Sequence, residues 1–195
     1  MNHQHIQIYY TKPASQKLTG SFTANCYEWI EAFITSLIAV VILFTFFFRV
    51  VNVSGPSMLP TLKSNDRVVL SSCFYKPHRG DIVVITHTQK LKEPIIKRVI
   101  ALENQKVDIN FETGVVSVDG VPLDESAYIQ NGITNQPTDY QFPLTVPAGH
   151  VFVLGDNRGV SNDSRFSEVG MIDERYILGK AEMVVFPFNR LGKIK

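Results

Sequence analysis

Residues 32–48 read AFITSLIAVVILFTFFF, seventeen consecutive positions without a charged side chain. With Trp29-Ile30 ahead and Val50-Val51 behind, the run reaches the roughly twenty residues that cross a hydrocarbon core. A helix buried in a soluble domain is apolar along one stripe, whereas this run is apolar on every face. A cleavable secretory signal is the other reading. The long polar segment ahead of the run weakens it, and no small-x-small site follows Phe48, where Arg49, Val50, Val51 and Asn52 stand. The run therefore predicts an uncleaved transmembrane helix over 29–50, with Tyr27 and Trp29 as interfacial aromatics. Lys12 and Lys17 precede it and Arg49 follows, so the positive-inside bias is slight. Residues 1–28, short and polar, are read as a cytoplasmic tail, and 51–195 as an extracytoplasmic domain.

The outer segment carries the period of strands. Residues 67–70, 81–85, 95–101, 115–118, 150–154 and 181–186 are short β-branched runs bounded by turn residues such as Arg79-Gly80-Asp81 and Pro147-Ala148-Gly149. Asp119-Gly120 between Val118 and Val121 has the form of a two-residue hairpin turn. Beyond the anchor no helical periodicity stands out, so the fold class expected is mainly β: one transmembrane helix, then an antiparallel sheet. Residues 124–143, polar and rich in turn formers, read as an exposed insertion, within a variable stretch of about 103–148. No internal repeat is apparent.

Composition narrows the function classes. The 195 residues carry a net charge of +1 and no basic cluster longer than Lys97-Arg98, which argues against a nucleic-acid partner. Cys26 and Cys73 have no metal or redox spacing, fall on opposite sides of the predicted membrane, and are expected to stay unpaired. With no HExxH, CxxC or paired His-Cys cluster, neither a metal nor a cofactor is expected.

Ser54-Gly55-Pro56-Ser57-Met58-Leu59-Pro60-Thr61-Leu62 begins five residues after Arg49. A serine there would sit close outside the bilayer, but it needs a base to become a nucleophile. The usual partner is histidine, yet His3, His5, His78, His87 and His150 form no triad pattern. The alternative base is Lys97, embedded in Ile95-Ile96-Lys97-Arg98-Val99-Ile100-Ala101, because an amine held in apolar surroundings loses its proton near neutral pH. Period two puts Ile95, Lys97 and Val99 on one face and Ile96, Arg98 and Ile100 on the other. Both faces mix charge with apolar residues, so alternation leaves open which one is buried.

Three separated blocks, SGPSMLPTL at 54–62, IKRVIA at 96–101 and GDNRGVSNDSR at 155–165, together resemble type I signal peptidases of the Gram-positive bacterial form. Asn65-Asp66-Arg67-Val68 and Arg79-Gly80-Asp81-Ile82-Val83 match two further family blocks, and the resemblance covers most of 50–188. It implies a serine endopeptidase with Ser57 as nucleophile and Lys97 as general base. Ser161 is similar to a family serine that orients the lysine amine, and Asp163 and Arg165 with Arg98 look like a supporting ionic cluster. Asp156, Asn157 and Arg158 read as turn and scaffold residues. Val53, Met58, Leu62 and Ile96 match positions lining the pockets for small substrate side chains. The implied substrates are secretory preproteins cut after small-x-small motifs at the bilayer, with the secretion machinery as a transient partner.

Two positions depart from the family pattern. Leu102-Glu103-Asn104-Gln105 follows the lysine block, where many members have Gly-Asp. Gly55 stands two residues before the nucleophile, where some members place a serine that helps stabilise the oxyanion, and Pro56 has no N–H to offer. The competing readings are a self-cleaving repressor-type protein cut at Ala148-Gly149, which lacks a DNA-binding domain here, an inactive membrane adaptor on the same scaffold, and a narrow-client paralogue.

Overall fold

The computed structural model describes residues 19–72, 75–88, 90, 93–129, 134–136 and 138–194. The expectations for residues 1–18, Cys73, Asn131, Gly132 and Pro137 lie outside these. The chain divides between Phe44 and Thr45 into two units.

The first unit holds most of helix α1, Thr19–Phe47. Its segment Asn25–Ile42 is long and apolar enough to cross a membrane. Val40, Val41 and Ile42, three successive residues on three sides of the helix, are all exposed, as are Trp29 and Phe33. Apolar side chains exposed on every side of the helix suit a lipid environment. Cys26 is exposed and its thiol is free.

The helix differs from the predicted span at both ends. It begins at Thr19, because the polar residues ahead of the apolar run tolerate helix even though they carry no apolar period. Phe48, Arg49 and Val50 leave it for strand β1 (Phe48–Asn52), which pairs residue for residue with β2 (Arg67–Ser71). Aromatic and β-branched residues favour that pairing over another helical turn.

The second unit is mainly β. After β2 come β3 (Ile82–Ile85), β4 (Ile95–Ala101), β5 (Lys106–Asn110), β6 (Val115–Val118), β7 (Val121–Pro122), β8 (Leu144–Thr145), β9 (His150–Leu154), β10 (Ile172–Asp173), β11 (Ile177–Phe186) and β12 (Gly192–Lys193). The larger sheet runs β1-β2-β11-β3-β4-β9-β10, with β12 on β11, and the smaller runs β7-β6-β5-β8. Every pairing is antiparallel. Strand β11 shifts register at several points against β2 and β3, which curls the large sheet.

The Asp119-Gly120 turn forms as the sequence predicts. Both residues have positive φ, 55° and 79°, and Val118 faces Val121 across β6 and β7. Asn104 takes φ 64° after β4, so this asparagine supplies the left-handed residue of the turn that follows the lysine block.

Residues 103–148, read as a variable stretch, contribute to the core. β5 alternates buried and exposed residues, and Val107, Ile109, Val116, Val118 and Val146 share a core with Ile100, Phe152 and Leu154 of the large sheet. Within 124–143, Thr134 is fully buried and Phe142 packs edge-on to Phe152.

Candidate active site

Residues 55–62 form a run of turns between β1 and β2, and this run carries Ser57. Gly55 holds φ 87°, a conformation costly for any residue with a side chain, and its N–H donates to Ser64 Oγ at 3.0 Å. Asn157 clamps the run from the other side, its N–H on Ser57 O at 2.9 Å and its Nδ2 on Pro56 O at 3.1 Å. Gly155 permits this approach. A Cβ there would lie 2.2 Å from Ser161 Oγ and 2.6 Å from Ser57 O.

Lys97 lies in β4 between β3 and β9, and Ile96 through Ala101 are all buried. Both faces of the strand are covered, which is why alternation could not orient it. The Lys97 side chain is 3% exposed, and its Nζ lies 2.9 Å from Ser57 Oγ and 3.1 Å from Ile96 O. Burial pushes its pKa down to about 8; the Asp163 carboxylate opposes this, Arg165 assists it, and Asp156 opposes it. A neutral amine within hydrogen-bond reach of a hydroxyl can accept its proton, so the pair has the geometry of nucleophile and base.

Two buried ion pairs brace it. Arg165 pairs with Asp163 at 2.8 Å, both fully buried, and Asp163 also accepts the Gly155 N–H. Arg98 grips both carboxylate oxygens of Asp156 at 2.8 Å, and Asp156 in turn accepts from Thr61 Oγ1 of the serine loop. One carboxylate thus joins the Lys97 strand, the serine loop and the 155–165 block. The sequence marks Asp156 as turn scaffold and gives Thr61 no role, although both lie within the blocks 54–62 and 155–165. Arg98 therefore pairs with Asp156, and the expected single cluster with Asp163 and Arg165 is two pairs.

Two other residues join with no signal in the sequence. The Tyr128 ring lies 4.0 Å from Arg98 Cζ, a cation–π contact, and Tyr128 Oη donates to Glu125. Glu125 is held by both Nη atoms of Arg158. Glu125 and Tyr128, in the stretch read as an exposed insertion, thus reach the site.

Ser161 is placed beside Ser57, but its Oγ is buried and has no hydrogen-bond partner. The structure does not form the expected bond to Lys97, whose Nζ contacts are Ser57 Oγ and Ile96 O. Val53, Met58 and Ile96 line an apolar cavity of about 410 Å³ next to the Ser57–Lys97 pair, with Val51, Val84 and Ile95. Leu62 differs. It is fully buried in the same hydrophobic cluster, outside the cavity wall, its N–H bonded to Met58 O.

The family model described as signal peptidase, peptidase S26, matches residues 26–186, a span containing every residue above. The chain belongs to this signal peptidase family. It is 41% identical over 153 residues to signal peptidase I of Leptolyngbya laminosa, covering 73% of this chain and 70% of that one. It is 33% identical over 181 residues to signal peptidase I P of Bacillus subtilis subsp. natto, covering 88% and 95%. A crystal structure of a signal peptidase I from Enterococcus faecalis V583 is 29% identical, covering 54% of this chain and 97% of that one, with a TM-score of 0.44. The family model and the curated relatives carry the assignment, which makes this chain a serine endopeptidase of the signal peptidase I type.

Proposed function

We propose that the chain removes signal peptides from secretory preproteins with Ser57 as nucleophile and Lys97 as general base. The observation that carries this reading is the 2.9 Å approach of a buried, readily deprotonated amine to a serine hydroxyl. The neutral amine takes the hydroxyl proton as Ser57 Oγ attacks the carbonyl carbon before the cut. The tetrahedral oxyanion turns to the Ser57 N–H, which has no protein acceptor among the described residues. The Lys97 ammonium returns its proton to the departing amine, and water, deprotonated by Lys97, hydrolyses the ester.

The apolar cavity supports specificity for small-x-small motifs. An extended peptide turns every second side chain to the same face. Two small side chains, one on either side of an outward-facing residue, suit a recess walled by Val53, Met58 and Ile96. Ser161, Arg98, Asp163 and Arg165 act as supporting residues. In this reading α1 anchors the chain in the cell membrane with residues 51–195 on the extracytoplasmic face and 1–28 inside. Confinement to the bilayer raises the local concentration of membrane-threaded substrate, and the secretion machinery is a transient partner.

The test is cleavage of a preprotein with an Ala-x-Ala site by the full chain in detergent. Ser57→Ala and Lys97→Ala should each abolish processing while the β domain stays folded. Substantial turnover by Lys97→Ala at pH 8 would overturn the assignment of the base.

A further inference from the structure

A second cavity, about 670 Å³, is lined by Gln136, Thr138 and Asp139 on one side and by residues of 160–168 on the other. Gln136, Thr138, Asp139, Asn162 and Ser167 bring polar groups to its walls, beside Val160 and Phe166. Its walls are tied together before any ligand arrives. Gln136 Nε2 donates to Gly159 O, Thr138 Oγ1 to Arg165 O, and the Ser167 N–H to Asp139 at 2.9 Å. Such preformed cavities of several hundred Å³ are where ligands bind.

Its position relative to the reacting pair gives it a use. Ser161 lines the cleft, while its Oγ lies on the other side, against Gly155 and near Ser57 O. The turn around residues 157–162 thus touches both the cleft and the serine loop, with the Asn157 N–H on Ser57 O at 2.9 Å and Val160, Ser161 and Asn162 lining the cleft. Val160, at 58% exposure, stands out from that turn. A peptide whose residues before the cut fill the apolar recess must carry its later residues away from it. At about 3.3 Å per residue, a few residues are enough to pass this turn.

We propose that the polar cleft binds the first residues of the mature chain, those following the scissile bond. The proposal rests on the reading of Ser57 as nucleophile. The chemistry matches on both sides, with small apolar side chains before the cut and the polar start of a secreted protein after it. Asp139 and Glu168 outnumber Lys90 in the lining, so the cleft favours a basic residue over an acidic one. Contacts remote from the reacting carbonyl can be expressed in the rate, so a substrate lacking that segment should be cut more slowly.

The test compares two peptides on the full chain in detergent: acetyl-Ala-Leu-Ala coupled to aminomethylcoumarin, and acetyl-Ala-Leu-Ala continued by six polar residues. The wild-type chain should cut the longer one with kcat/KM about tenfold higher or more. Val160→Trp, which puts a bulky ring at the cleft mouth, should bring the ratio of the two towards one. Exchanging Lys for Glu at the third position after the cut should slow wild type about threefold or more, and the double variant Asp139→Asn/Glu168→Gln should lose that preference. Equal rates on the two peptides in wild type, or equal proportional losses on both in Val160→Trp, would overturn the cleft assignment. Indifference of wild type to the Lys–Glu exchange would overturn its charge preference. The reading of Ser57 fails separately, if Ser57→Ala cuts either peptide.

Discussion

Burial of Lys97 that frees its amine for proton transfer also costs stability. Its folded pKa of about 8 lies below the 10.5 of a solvated lysine, so between these values the unfolded chain binds the extra proton. Stability therefore rises with pH across that window, and the penalty, about 3 kcal/mol, is present in full below it. Lys97→Met should raise unfolding stability at pH 7 by up to about 3 kcal/mol, with the gain fading by pH 10.5. Thermal unfolding at the two pH values measures it, and equal gains would mean that the amine is not the source. With the proposed base at work, kcat/KM of the wild-type chain should climb with pH through an apparent pKa near 8. Ser161→Ala removes a buried hydroxyl that has no partner. Since such a group costs about 1–3 kcal/mol, this variant should hold or gain stability. A clear loss would reveal a partner such as a bound water. Gly55→Ser meets no atom within 4 Å but must adopt φ 87°, so it should lose about 1–2 kcal/mol of unfolding stability, read from its denaturant midpoint.

β4 reaches the serine loop through a shared carboxylate. Arg98 at its centre and Thr61 in the loop both bond Asp156, and Tyr128 covers the guanidinium. Removing one partner of a buried ion pair leaves the other charge unpaired, at about 3–5 kcal/mol. Asp156→Ala should therefore unfold far more readily than wild type, while Arg98→Met/Asp156→Leu, which removes both charges, should recover part of the loss. Denaturant midpoints for the three chains decide it. A double variant worse than the single would mean that the pair contributes more than it costs in desolvation. The strands themselves were legible where β-branched runs were bounded by turn residues, as in β3, β4, β6 and β9. β5 (Lys106–Asn110) has the same alternation, but only one buried residue separates its two charges, and its short KVDIN pattern does not stand out from a loop.

At the scale of the whole chain, the division into two units falls between Phe44 and Thr45, just ahead of β1. β1 (Phe48–Asn52) borders β2 at one edge of the large sheet. A chain starting at Thr45 should fold and cut short peptides, whereas one starting at Val51 loses three of the five β1 residues. The shorter chain should melt earlier and expose the edge of β2 to association. Calorimetry and light scattering on the two chains check this, and equal melting would show that β1 contributes nothing. The sequence alone determined the apolar helix, because composition decides whether a segment can face lipid, and the reactive blocks, because each is local and carries its own chemistry. It determined the Asp119-Gly120 turn for the same reason, since positive φ is a property of those residues. Only the tertiary structure decided that Lys97 meets Ser57 across forty residues, that Phe48 to Val50 leave the helix for a sheet edge, that Ser161 stands without a partner, and that Glu125 and Tyr128 brace Arg158 and Arg98. Each of these depends on which distant segment is packed alongside. A buried polar group takes its partner from whatever donor or acceptor the fold brings within about 3 Å, and spacing along the chain does not encode that.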